Sequence, residues 1–199
     1  MGDNANEILG RIAVASLRKC VEKLTRVSAG AWDIAGVEVF MGSLDETIKR
    51  RGADYAESAA IYFDVKGELP FSAILLFDPR DMESISTCFL GRAFFSAPGL
   101  TQAGELLLSE LGNIILNSFV GALSDAVKLA FLPSAPRCVR GEPRFLLEAI
   151  GCFMDAKQSY RIISVRLDIH CAKSVIRSEM LGLIPERLAQ ELLNIKKTE

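Results

Sequence analysis

The sequence predicts a two-layer α+β fold, an antiparallel β-sheet assembled from two pseudo-repeated halves with long helices packed on it. Three observations predict it. Amphipathic helical patterns fill residues 5–28 and 102–129, strand-like runs follow each of them, and the order helix, strand, hairpin, helix occurs twice. The join falls at residues 96–101 (Ser-Ala-Pro-Gly-Leu-Thr), so a single domain over 1–199 divides into halves of about 1–95 and 100–199.

The first helical pattern places Ile8, Leu9, Ile12, Ser16 and Cys20 on one side and Glu7, Arg11, Arg18, Glu22 and Thr25 on the other. Gly30 and Gly36 break that period, and residues 37–41 read as a short strand. Trp32, just past the helix, reads as a packing residue. Residues 58–65 and 71–77 alternate as strands around Lys66-Gly-Glu-Leu-Pro70, a glycine-bearing hairpin connection. Asp78-Pro-Arg-Asp81 suits a strand-to-helix turn capped by Asp, leading into a short helix over 81–89. The long helix of the second half is stopped by Pro133 and Pro136, since proline cannot continue the hydrogen-bond ladder. Residues 145–154 and 160–170 read as strands about a turn at 156–159, and a helix over 185–195 closes the chain. Its Leu188, Leu192 and Ile195 suit the core or a dimer surface.

Composition excludes several classes. Half the residues are hydrophobic and 24% are charged, with 23 Lys+Arg against 25 Asp+Glu, which excludes disorder and gives no basic excess for nucleic acid or an anionic membrane. No uncharged apolar run approaches the ~20 residues that span a bilayer, and Met-Gly-Asp-Asn is not the start of a signal peptide. Five cysteines (Cys20, Cys88, Cys138, Cys152 and Cys171) lie scattered with no Cys-x-x-Cys pair, so neither a zinc site nor a disulfide framework follows from their spacing. The single histidine, His170, has only Cys171 beside it and reads as a surface or structural residue. The expectation is a reduced, soluble, cytoplasmic protein with no metal of its own.

On the long helix, the expected core stripe is Leu107, Leu111, Ile114, Ile115, Ser118 and Ala122, with Leu108 and Phe119 at its edge. The opposite stripe carries Leu106, Glu110, Asn113, Asn117, Val120 and Ser124. Glu110 and Asn113 are three residues apart, so their side chains lie together. A carboxylate there can pair with a partner's cation, and a carboxamide supplies both a donor and an acceptor to place a water. Leu106, Asn117 and Val120 flank the pair as expected partner contacts. Polar residues on an outer helix face are common, so the pair gains meaning only from what surrounds it.

Residues 109–136, SELGNIILNSFVGALSDAVKLAFLPSAP, resemble the signature segment of the CheC/CheX/FliY family of chemotaxis phosphatases. The family pattern is Asp or Ser, three residues, Glu, two residues, Asn, then 22 residues and Pro. Glu110, Asn113 and Pro136 keep that spacing, while Leu106 stands where Asp or Ser belongs. Residues 71–79 (FSAILLFDP) and the short helix after them resemble the strand-to-helix piece of the family's first half. A second copy of the pattern is degenerate: Glu7 is present, but Gly10 or Arg11 takes the place of Asn, and counting on from Gly10 reaches Asp33, not Pro. The resemblance therefore implies a CheC-like fold with one retained site.

It further implies hydrolysis of the aspartyl phosphate on a CheY-type receiver domain. Asn113 would hold the attacking water and Glu110 would dock the receiver's lysine, with Mg²⁺ supplied by the receiver and no cofactor carried by this chain. A CheD-like protein and a homodimer are further partners of that family. The rival expectation is a non-catalytic, flagellar-switch-like module that binds a receiver or assembles with partners.

Overall fold

A computed structural model describes residues 2–43, 46–47, 58–91, 101–142, 145–146, 160–171 and 174–198. Helix α1 (Gly2–Val27) leads to strand β1 (Ala31–Gly42), then β2 (Ser58–Lys66) and β3 (Phe71–Phe77) form a hairpin. A 3₁₀ turn (Pro79–Asp81) and helix α2 (Met82–Leu90) complete the first half. The second half runs α3 (Gln102–Val127), β4 (Leu132–Pro133), β5 (Arg137–Gly141), the hairpin β6 (Tyr160–Cys171) and β7 (Ser174–Pro185), and α4 (Glu186–Thr198).

The sheet is antiparallel throughout in the order β1-β6-β7-β3-β2, with β5 and β4 both on the outer edge of β2. Exchanging the halves (β1 with β5, β2 with β6, β3 with β7) returns the same order read backwards. The pseudo-twofold expected from the repeated element order is thus built into the strand pairing, with its axis between β7 and β3.

Alternation along the strands creates two apolar faces. Ile61, Phe63, Ala73, Leu75, Ile163, Val165, Leu167 and Met180 pack under the helices. Ala60, Tyr62, Ile74, Leu76, Ile162, Leu181 and Leu183 form a smaller cluster on the far face, with Leu146. Helices α1 and α3 lie side by side and run oppositely. The Ser118 hydroxyl donates to the Ser16 carbonyl at 3.2 Å, and the Cys20 thiol donates to the Ile114 carbonyl at 3.9 Å. Burial holds the Cys20 thiol up at about 11.

Several expectations are corrected. Strand β1 begins at Ala31, because Trp32 is buried, donates from its backbone N–H to Thr25 Oγ1 (2.9 Å) and meets Phe89 edge-on. The second hairpin is β6–β7, not 145–154 with 160–170. Phe145 and Leu146 are helical, and the rest of that predicted strand and its turn lie outside the described residues. The counterpart of β1 in the second half is β5, and β7 lies where no strand was expected. Its run ends in Leu-Gly-Leu-Ile-Pro, which looks like punctuation, but Gly182 is there because the Phe119 ring lies 3.1 Å from where its Cβ would be. Leu188 and Leu192 are buried in the core and Ile195 packs against it, as the core reading of this helix expects. Cys88 and Cys171 form a disulfide with Cα atoms 5.8 Å apart, tying α2 to the end of β6; this corrects the expectation of reduced thiols. Residues 83 apart in sequence give no spacing signal for such a bond.

Other expectations hold. Asp78 accepts from the Arg80 backbone N–H at 2.8 Å, capping the 3₁₀ turn, and the Arg80 side chain holds its carboxyl below the usual range. His170 is exposed at the end of β6. By length and composition α3 alone among the described residues would suffice to cross a membrane. Its apolar residues instead form much of the core under the helices.

Candidate functional site

Helix α3 is fixed at both ends and in the middle. Thr101 caps its start, accepting from the Gly104 N–H at 3.2 Å, and Lys128 ends it in a left-handed conformation (φ 56°). At its centre Gly112 presses on β2. A Cβ there would lie 2.3 Å from Ile61 Cγ2 and 2.8 Å from Ile61 Cβ, so only glycine permits this approach. Glu110 and Asn113 straddle that contact point and are carried on the side turned away from the sheet. Glu110 is exposed and Asn113 is half-buried.

Among the described residues Glu110 has no cation paired to it. The Asn113 carboxamide is oriented by the next turn, where Asn117 Nδ2 donates to Asn113 Oδ1 at 2.7 Å. Asn113 Nδ2 is then directed away from Asn117, with a second lone pair of Oδ1 still open for a proton donor. One helix therefore presents an exposed carboxylate and, one turn on, an amide oriented by its neighbour.

The flanking contacts are partly as expected. Leu106 is 65% exposed and Asn117 is exposed. Val120 is not: it is 3% exposed and packed in the core, so it leaves the expected set of partner contacts. Ile114, expected in the core, is 43% exposed instead. At about 100° per residue the solvent-facing arc is centred roughly 50° from the stripe that the polar residues alone suggest. The cause is the packing of α1 along one flank of α3. The helix is apolar nearly all round, so its own sequence could not fix the centre of the buried arc; Leu108, Leu111, Ile115, Phe119 and Leu123 occupy it.

Beside Leu106 a shallow cleft of about 550 Å³ lies between the first turns of α3 and Cys138 of β5. Burial, aided by the charge of Glu105, raises the Cys138 thiol to about 11. Pro136, the last residue of the family spacing, immediately precedes β5, so the spacing marks the chain's return from the helix to the sheet edge.

The buried residues of α1 repeat those of α3 at a constant offset: Ala5, Ile8, Leu9, Ala13, Leu17, Cys20 and Leu24 match Leu108, Leu111, Gly112, Leu116, Val120, Leu123 and Val127. The same offset sets Glu7 against Glu110 and Gly10 against Asn113. Arg11, at the place of Ile114, pairs with Glu7 at 3.6 Å, both side chains being exposed. At the places of Glu110 and Asn113 the first helix thus presents a carboxylate that is already paired and no amide.

The result is an antiparallel sheet backed on one face by paired helices, with an exposed carboxylate and a half-buried carboxamide on the second of them. The fold matches that of the CheC/CheX/FliY family of chemotaxis proteins. FliY of Thermotoga maritima superposes with a TM-score of 0.69 at 11% identity, covering 96% of this chain and 94% of that one. FliM in a FliG–FliM complex from H. pylori gives 0.62 at 13% identity over 90% and 93%. A chain of the CheX–CheY–BeF3–Mg²⁺ complex from Borrelia burgdorferi gives 0.54 at 12% identity over 87% and 96%. No protein-family model matches the sequence, and no curated protein matches it either.

Proposed function

We propose that this protein is a phosphatase that hydrolyses the aspartyl phosphate of a CheY-type receiver domain through the single site on α3, within the cytoplasm. The supporting observation is the Glu110–Asn113 pair, borne outward on a rigid helix, with the amide oriented by Asn117. The CheX–CheY complex shows that a protein of this fold docks a receiver.

The chemistry needs little from this chain. An acyl phosphate has a good leaving group, and the receiver supplies Mg²⁺ and the charges around its phosphoryl group, so positioning is the remaining requirement. Glu110 pairs with the lysine beside the receiver's phosphoaspartate and fixes the approach. Asn113 enters beside the phosphoryl group and holds a water in line with the bond to be broken. Water oxygen bonds to phosphorus, the bond to the carboxyl oxygen breaks, and the products are the free aspartate and inorganic phosphate. Neither residue has to be an acid or a base. Leu106, one turn before Glu110, supplies apolar contact where the family pattern has a polar residue.

A second reading is favoured by the similarity to FliM, crystallised with FliG: a switch-type module that works by assembly. Phosphate release from a phosphorylated receiver separates the two. Intact protein should accelerate it, Asn113→Ala should abolish the acceleration while binding survives, and Glu110→Lys should weaken binding. Equal rates with and without the intact protein would leave the assembly reading.

A further inference from the structure

Helix α3 contains two interior glycines that differ in what they do for the fold. Gly112 is required by Ile61. Gly121 is exposed, has helical neighbours on both sides, and a Cβ built on it would meet nothing within 4 Å. A helix-interior glycine is unfavourable relative to alanine because it adds backbone entropy to the unfolded chain. Nothing within the described molecule calls for one at 121.

The position lies on the exposed arc of the site. Leu106, Glu110, Ile114, Asn117 and Gly121 follow one another at helical spacing, all exposed. Eleven residues separate Glu110 from Gly121, about 16 Å along the helix axis. Leu106 lies about 6 Å beyond Glu110 in the other direction, so the stripe spans a length suited to a single protein partner's contact patch. It alternates apolar and polar groups: Leu106 and Ile114 give apolar contact, and Glu110 offers negative charge with no internal cation among the described residues.

We infer that the receiver's docking footprint runs along α3 from Leu106 across Ile114 to Gly121, where the missing side chain lets the partner seat directly against the helix backbone. This rests on the receiver reading above and deepens it. The occupant is the receiver because the stripe carries the exposed charge of Glu110, and a protein of the same fold was crystallised as a complex with CheY. The pseudo-equivalent stripe on α1 has Arg11 for Ile114, Val14 for Asn117 and Arg18 for Gly121, so the same partner meets an arginine at the place of the glycine. Docking is therefore confined to one helix of the two.

Binding to a CheY-type receiver loaded with beryllofluoride and Mg²⁺, measured by titration calorimetry, tests this without turnover. Gly121→Trp should raise the dissociation constant roughly tenfold or more, as expected for a bulky group forced into a close-packed contact. Ile114→Ser should weaken binding too, and the mirror substitution Arg18→Trp should leave it within about twofold. Circular dichroism and the melting temperature verify that each variant is folded; Ile114→Ser carries the test should the tryptophan variant prove misfolded. Wild-type affinity retained in both Gly121→Trp and Ile114→Ser overturns the footprint and leaves the receiver reading standing. A wild-type protein that binds no loaded receiver overturns the reading itself, and the footprint with it.

Discussion

Replacing Gly112 by alanine tests the contact that sets the site's position. The added methyl would lie 2.3 Å from Ile61 Cγ2, and Ile61 is fully buried at the middle of β2. Ile61 is held between β3 and β5, so it cannot retreat, and α3 must lift from the sheet. Overpacking of this kind costs about 3 kcal/mol at the upper end of its usual range. The glycine-to-alanine gain in helix propensity returns about 1 kcal/mol. The net loss is about 2 kcal/mol, which for a chain of this size lowers the melting temperature by about 4–8 °C. Gly121→Ala, with open space around it, has only the favourable term and should raise the melting temperature by about 2–4 °C. Thermal unfolding followed by circular dichroism reads both. Glu110, Asn113 and Asn117 ride on one helix and keep their mutual geometry, so Gly112→Ala should retain receiver dephosphorylation well below its melting temperature. Equal stabilities for the two alanine variants would refute the argument that one glycine is a packing requirement and the other is not.

Further outcomes follow from other parts of the molecule. Arg161, 4% exposed, donates from Nε and Nη2 to the two oxygens of Glu186 at 2.8 Å each and from Nη1 to Asn6 Oδ1 at 2.6 Å, clamping α4 and the start of α1 to β6. Arg161→Met should cost about 2–3 kcal/mol in denaturant titration, less than a fully buried pair because Glu186 keeps some solvent. Partial burial pushes the Glu186 carboxyl up, but bonds from Arg161 and Gln190 outweigh it and leave the group below its ordinary 4.5. Its stabilising contribution is therefore full above that pH and is lost as pH falls through the lowered value, so Glu186→Gln should flatten the acid limb of a stability-against-pH profile. Cys20 and Cys138, with thiols near 11, should react slowly with a thiol reagent at pH 8 until the protein is denatured. Peptide mapping without reductant should recover Cys88 joined to Cys171. Reduction should lower the melting temperature, since the bond closes a loop over a separation of 83 residues.

Periodicity and spacing made much of this protein legible. The helices, the first hairpin and the twofold repetition of elements follow from patterns of 3.6 and 2, which are local properties of the chain. Glu110 and Asn113 were legible for the same reason: residues three apart on a helix lie together whatever the rest of the fold does. Strand β7 was hidden because Gly182 breaks its pattern, and that glycine answers to Phe119 on another element. The Cys88–Cys171 bond joins residues that only the closed sheet brings near. Val120 and Ile114 exchanged places because α3 is apolar around most of its circumference. On such a helix the sequence determines that a buried face exists, but which arc is buried depends on where Ile61 and α1 press against it, and those contacts come into being only when the tertiary structure forms.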